Sequence, residues 1–274
     1  MKKLIVPTDF SDTSKNAAIF AAKMANDIYG CSIILYNAFD SIFTSQEGTS
    51  VFSDTESRKR IAESALMNLK NDMALVSSVP IAILAEEGQL ITNLEKLCHH
   101  QKMDLIIMGI TGATRLDQIL MGSNTLNLIE QGICPVMIIP PDAQYKKIKT
   151  AIFASDFKNV ETSTPINTLR KLLDLFKPVL HVVNVDTEHF VELTEEYKAE
   201  KAKLNKMLHG FNPEYSFIRM YDFADSINLF AKDRNADLII TVPKKHGFLS
   251  GLFKTSHTKK LAYHSHIPIL TVQE

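Results

Sequence analysis

The chain has 274 residues, more than one domain of the commonest size needs and enough for two of about 100–150 residues each. Hydrophobic residues make up 45% and charged residues 22%, values of a globular chain that exclude disorder as its general state. Lys plus Arg number 30 against 31 Asp plus Glu, and the net charge of -1 gives no reason to expect a nucleic acid as partner.

In chain order, MKKLIVPTDF opens with two lysines and only four apolar residues, too few for a secretory leader or a membrane span. With three widely spaced cysteines (Cys31, Cys98, Cys134), no disulfide framework and no CxxC pair, the expectation is a cytoplasmic protein that does not engage a membrane. LIVP, SIILYNA, VPIAILAE, DLIIMG and PVMIIP read as five strands, several too uniformly apolar to leave one face in water. Residues 12–29 and 88–101 carry apolar side chains at helical spacing, the first through Ala17, Ala18, Phe20, Ala21, Met24 and Ile28.

The order then repeats. IVPTDFSD at 5–12 returns as IFASDFKN at 152–159, placing Asp156 over Asp9 and Phe157 over Phe10 at a shift of 147. DLIIMG at 104–109 returns as DLIITV at 237–242 at a shift of 133, each followed by a proline opening a short apolar run, Pro135 and Pro268. AIFAS, PVLHVVNV, YSFIRM, DLIITV and PILTV are the strands of this second copy. Residues 1–142 and 148–274 therefore read as two tandem α/β domains, each a five-stranded parallel, doubly wound sheet flanked by helices. The charge-rich ELTEEYKAEKAKLNKML reads as a solvated helix with pairs such as Glu195 and Lys198.

After the fourth strand comes GITGATRLDQILMGSN, with Gly109, Gly112 and Gly122 followed by Ser123 and Asn124 where a helix begins. Glycines let backbone approach a ligand closely, and free amides at a helix start favour an anion. The loop is neither GxxxxGK[ST] nor GxGxxG. On its own it reads equally as a set of turns with Ser123 as an ordinary cap. Its place in an open parallel sheet, beside the end of the first strand with Asp9, favours a ligand crevice. Asp9 reads alternatively as a cap of the first helix, and Arg115 as a phosphate partner or a solvated side chain.

Together VPTDFSD, the GxxG-nine-GS loop and CPVMIIP resemble the ATP-binding branch of the universal stress proteins, over essentially the whole chain. The resemblance implies that ATP, AMP or ADP binds in the first copy, with Mg²⁺ nearby. It places Pro7, Thr8, Asp9, Ala38 and Met108 among the nucleotide-binding residues, with Asp9 and Ala38 at the adenine and ribose end. Gly109, Gly112, Gly122, Ser123 and Asn124 then line the phosphates. It also implies a stress-response regulator whose final strands associate, as an internal pseudo-dimer of the two copies or as a homodimer. An alternative is a slow ATPase or self-phosphorylating protein with Ser123 and Thr125 as acceptors; another is a structural partner with a vestigial site.

In the second copy Val242, Lys245 and Thr255 stand where the three glycines stood, so that copy is expected to bind no nucleotide. Its basic loop, Lys244 to Lys260, reads as solvated surface or an anion-binding segment. The pairs His99–His100 and His264–His266 lack the partners of a zinc site. No GxSxG supports acyl transfer.

Overall fold

The computed structural model describes residues 2–39, 55–110, 123–186, 194–219, 222–243 and 267–273. The elements run β1 (Lys2–Pro7), α1 (Asp12–Ala25), β2 (Cys31–Phe39), α2 (Thr55–Ala74), β3 (Ile81–Glu87), α3 (Leu90–Gln101), β4 (Leu105–Gly109), α4 (Ser123–Gln131) and β5 (Val136–Ile139). They continue with β6 (Thr150–Ala154), α5 (Val160–Ser163), α6 (Ile166–Phe176), β7 (Val179–Asp186), α7 (Glu195–Met207), β8 (Glu214–Arg219), α8 (Phe223–Asp233), β9 (Leu238–Thr241) and β10 (Ile269–Thr271).

All ten strands belong to one sheet in the order β3-β2-β1-β4-β5-β10-β9-β6-β7-β8. Each copy contributes five parallel strands in the same relative order, as the alternation of strands and helices predicted. The join is antiparallel: β10 runs against β5, with Leu270 opposite Met137, and parallel to β9, with Leu270 opposite Ile240.

The sheet is sandwiched because its strands are apolar on both faces. Leu4, Val6, Leu105, Ile107, Met137, Phe153, Val182 and Leu270 point to one layer, shared with α1, α2, α6 and α7. Ile5, Ile106, Met108, Ile138, Ile152, Val183 and Ile269 point to the other, shared with α3, α4 and α8. Both layers run without interruption across the join.

The helices follow from local chemistry. The Ser11 hydroxyl caps α1 by accepting the Ser14 amide, and a buried face rich in small residues (Ala17, Ala18, Ala21, Ala22, Ala25) lets α1 lie close to the sheet. It stops at Ala25, short of the 12–29 span its periodicity suggested. Ala62, Leu66, Leu69 and Met73 form the narrow apolar stripe of the otherwise polar α2. In the second copy the first helix is broken into α5 and α6 at Pro165, and Glu200 of α7 supplies an acceptor for the Val160 amide at 2.7 Å. The charge-dense α7 carries the expected Glu195–Lys198 pair at 2.7 Å, yet it also buries Glu200 and Leu204.

The segment between the copies is docked. The Asn16 amide donates to the Pro140 and Ala143 carbonyls, Ala143 and Ile148 are buried, and the Tyr145 ring stands edge-on to Phe20 with its hydroxyl donating to Asp27. Among the described residues no helix is long and apolar enough to cross a membrane.

Leu270 is fully buried at the centre of the join. Leu270→Ala is expected to lower stability by about 2–5 kcal/mol, seen as a lower urea midpoint with little change in slope.

Candidate functional site

Where β1 and β4 lie side by side, β1 leads to α1 on one face while the chain reaches β4 from α3 on the other, so the strand ends open a crevice. A cleft of about 620 Å³ occupies that place. Pro7, Thr8, Asp9, Ala38, Met108, Gly109 and Asn124 line it, all seven singled out in the sequence. Gly112 and Gly122 lie outside the described residues, and Ser123 is described only as the first residue of α4. Ser14, Asn37, Thr125, Asn127 and the run Gly88 to Ile91 line the cleft without having been singled out.

The floor is a tightly hydrogen-bonded turn. The Thr8 amide continues the ladder to Tyr36, and the Thr8 hydroxyl accepts the Phe10 amide at 3.0 Å and bonds the Ser14 hydroxyl at 2.9 Å. This holds Phe10 at a φ of 65°, a left-handed conformation a phenylalanine seldom adopts, while its ring packs on the core. Asn37 donates its side-chain amide to the Thr8 carbonyl at 2.8 Å. A carbonyl can only accept, so this contact fixes which way the Asn37 amide points.

Asp9 does not cap α1; Ser11 does. Asp9 Oδ1 instead accepts the Ser11 hydroxyl at 2.6 Å and the Ser11 amide at 3.0 Å. Partial burial raises the Asp9 pKa, but these hydrogen bonds outweigh it and hold the carboxyl below its ordinary range. The cleft mouth therefore carries an ionised acceptor at neutral pH.

The starts of three helices, α1, α3 and α4, contribute to the walls through Ser14, Leu90 with Ile91, and Asn124 with Thr125. Gln89, the residue before α3, makes no side-chain cap, so the amides at that end remain without a local side-chain partner. Gly88 supplies the turn with a φ of 120°, open to glycine and rarely to other residues. Among the described residues no group of three or more His, Cys, Asp or Glu gathers to hold a metal ion.

Gly109 carries a packing constraint in addition to its place on the cleft. A Cβ there would lie against the Thr13 carbonyl oxygen and within 2.7 Å of its carbonyl carbon, backbone that cannot swing aside. The small-residue face of α1 and the missing side chain of Gly109 are two halves of one close approach.

The second copy repeats the floor of the cleft. Ser155 accepts the Phe157 amide at 3.2 Å, Asp156 accepts the Lys158 amide at 3.2 Å, and Asn184 donates to the Ser155 carbonyl at 2.9 Å. Phe157 has the φ of 50° that matches Phe10. Asn37 and Asn184 stand at the same shift of 147 as Asp9 and Asp156, a signal in the repeat that would have identified Asn37. At Gly109's place the second copy has Val242, buried in the layer that also holds Val160 at the start of the broken helix. The basic loop of that copy, including Lys245, Thr255 and the lysines around them, lies outside the described residues.

A model of the universal stress protein family matches residues 1–140 and 176–273. A universal stress protein of Methanocaldococcus jannaschii is 32% identical over 142 residues, covering 50% of this chain and 81% of its own. A second universal stress protein of that archaeon is 26% identical over 153 residues, covering 50% of this chain and 94% of its own. The fold as a whole is shared with a universal stress protein of Archaeoglobus fulgidus, at 14% identity and a TM-score of 0.74, covering 99% of this chain and 98% of that one.

Gly109→Ala is expected to lower stability by about 1–3 kcal/mol, measured by thermal melting without any ligand, because α1 must be pushed off β4.

Proposed function

The chain belongs to the universal stress protein family, and on that premise we propose that it is a nucleotide-binding stress-response regulator, holding one ATP or AMP in the cleft between β1 and β4. The observation that carries this reading is the convergence in one cleft of Asp9, Ala38, Met108, Gly109 and Asn124 with the starts of three helices. Asp9 and Ala38 serve the adenine and ribose end, and Asp9 is held ionised, ready to accept from a hydroxyl or an exocyclic amine. Asn124, the helix amides and the loop glycines Gly112 and Gly122 face the phosphates, whose negative charge suits helix starts. Ser123, Pro7 and Thr8 complete the contact set.

Mg²⁺, in this reading, arrives on the triphosphate and keeps most of its ligands from phosphate and water, as a small hard cation does. The residues described offer it no carboxylate cluster of its own.

In the proposed arrangement 1–142 and 148–274 are the two domains, and the β5–β10 junction makes them an internal pseudo-dimer. The second domain keeps the cleft floor but has Val242 where backbone must approach a phosphate, so it serves as a docked partner and not as a second nucleotide site. The working compartment is the cytoplasm, and the protein acts through occupancy rather than turnover.

Calorimetric titration of the intact chain with ATP in Mg²⁺ should give one site. Two equivalent sites per chain, or none, would overturn the reading. Steady release of phosphate would replace it with the ATPase alternative. Asp9→Ala should weaken ATP and AMP alike, by roughly 10- to 100-fold for a charged hydrogen bond worth about 1.5–3 kcal/mol. Asp156→Ala should change affinity little. Gly112→Val or Gly122→Val should abolish binding and leave the thermal midpoint in place.

A further inference from the structure

The three cysteines are free thiols and all are buried, but the fold does not treat them alike. Cys31 belongs to the layer under α1 and α2, whereas Cys98 and Cys134 belong to the opposite layer, under α3 and α4. The sheet thus separates Cys31 from the other two. Cys98 sits in the last turn of α3, Cys134 follows the end of α4 just before β5, and the two side chains come within hydrogen-bonding reach of each other. Cys134 also directs its thiol at the Met103 carbonyl, 3.5 Å away, in the turn that ends α3. A pair 36 positions apart in the chain is in this way held side by side from two elements.

We infer that Cys98 and Cys134 form an oxidation site, a dithiol that closes to a disulfide on reaction with a hydroperoxide. Cys98 is the attacking sulfur. Its neighbour Cys134 stabilises the thiolate against the opposing effect of burial, while Cys134 itself is pushed up by Cys98, by burial and by Asp104. The Cys98 thiolate attacks the peroxide oxygen, the O–O bond breaks, and the departing alkoxide or hydroxide takes a proton, leaving Cys98 as the sulfenic acid. Cys134 then attacks the Cys98 sulfur, the S–O bond breaks, and the expelled hydroxide takes the Cys134 proton to become water. Two thiols and one hydroperoxide yield one disulfide, one alcohol or water, and one further water; the two sulfurs together lose two electrons and the peroxide gains them.

The bond would tie the last turn of α3 to the segment entering β5. Both α3 and α4 begin at the cleft and end at this pair, so oxidation fixes the spacing of two cleft walls at their far ends. The proposal does not depend on what the cleft binds.

The test uses the full-length protein exposed to hydrogen peroxide in small excess, quenched with an alkylating agent, unfolded, alkylated with a second agent and digested without reductant. The expected result is a peptide containing Cys98 joined to one containing Cys134, with Cys31 alone alkylated by the second agent. Oxidation should raise the thermal midpoint by several degrees, reversed by dithiothreitol. Cys31→Ser should retain the link, and Cys98→Ser or Cys134→Ser should lose both the link and the shift. A link through Cys31, overoxidised Cys98 with no link, or three unmodified thiols after peroxide would each overturn the proposal, and the wild-type peptide map decides even if a serine variant fails to fold.

Discussion

The antiparallel pairing of β5 with β10 is the constraint on which the rest of this molecule depends. Each copy by itself would end its sheet in a short, wholly apolar strand with unpaired amides and carbonyls, an edge that invites association. Setting the two edges against each other satisfies both and merges two sheets into one of ten strands. The helix layers then become continuous, so that Met137 and Leu270 share a layer with residues from both ends of the chain. The Thr271 hydroxyl donates to the Val136 carbonyl at 3.2 Å, and Gln273 donates to the Ile129 carbonyl near the end of α4. The second copy is thereby fastened to the helix whose first turn lines the cleft of the first.

Within that frame the two copies show which parts of the fold tolerate change. The turn after the first strand is kept atom for atom: hydroxyl on amide, asparagine on carbonyl, phenylalanine left-handed. A strained residue persists twice because its neighbours leave it no alternative, and the buried Asn37 and Asn184 would cost more unpaired than the strain does. What differs lies one strand away. Gly109 and the intact α1 go together, as do Val242 and the broken pair α5 and α6. Helix proximity and side-chain size at the fourth strand end are a single variable, and the proposed difference in ligand capacity follows from it.

The oxidation site adds a second chemistry on the opposite end of the same helices. Burial normally makes a cysteine inert; two buried cysteines facing each other are another matter, since each is the other's nearest reactive group. The described residues thus place a ligand crevice at the starts of α3 and α4 and a dithiol at their ends.

How much of this could be read from residues alone depends on whether the information is local or paired. Uniformly apolar runs specify strands buried on both faces, and the repeat of IVPTDFSD and DLIIMG specifies two copies of one fold; both are properties of short segments, so the sequence by itself determined them. The same holds for Pro7, Thr8, Asp9, Ala38, Met108, Gly109 and Asn124, which lie at strand ends and helix starts that motif spacing locates. Asn37 was masked by the apolar strand around it, the run from Gly88 to Ile91 by the lack of a motif, and the break at Pro165 by the helical periodicity that continues beyond it. Cys98 and Cys134 looked unrelated because 36 positions separate them, and no local pattern encodes a contact between helix ends. That contact, the steric demand on Gly109 from the Thr13 backbone, and the fixed amide of Asn37 were decided only by the tertiary structure, because each is a relation between atoms that the sheet order brings together and the chain order keeps apart.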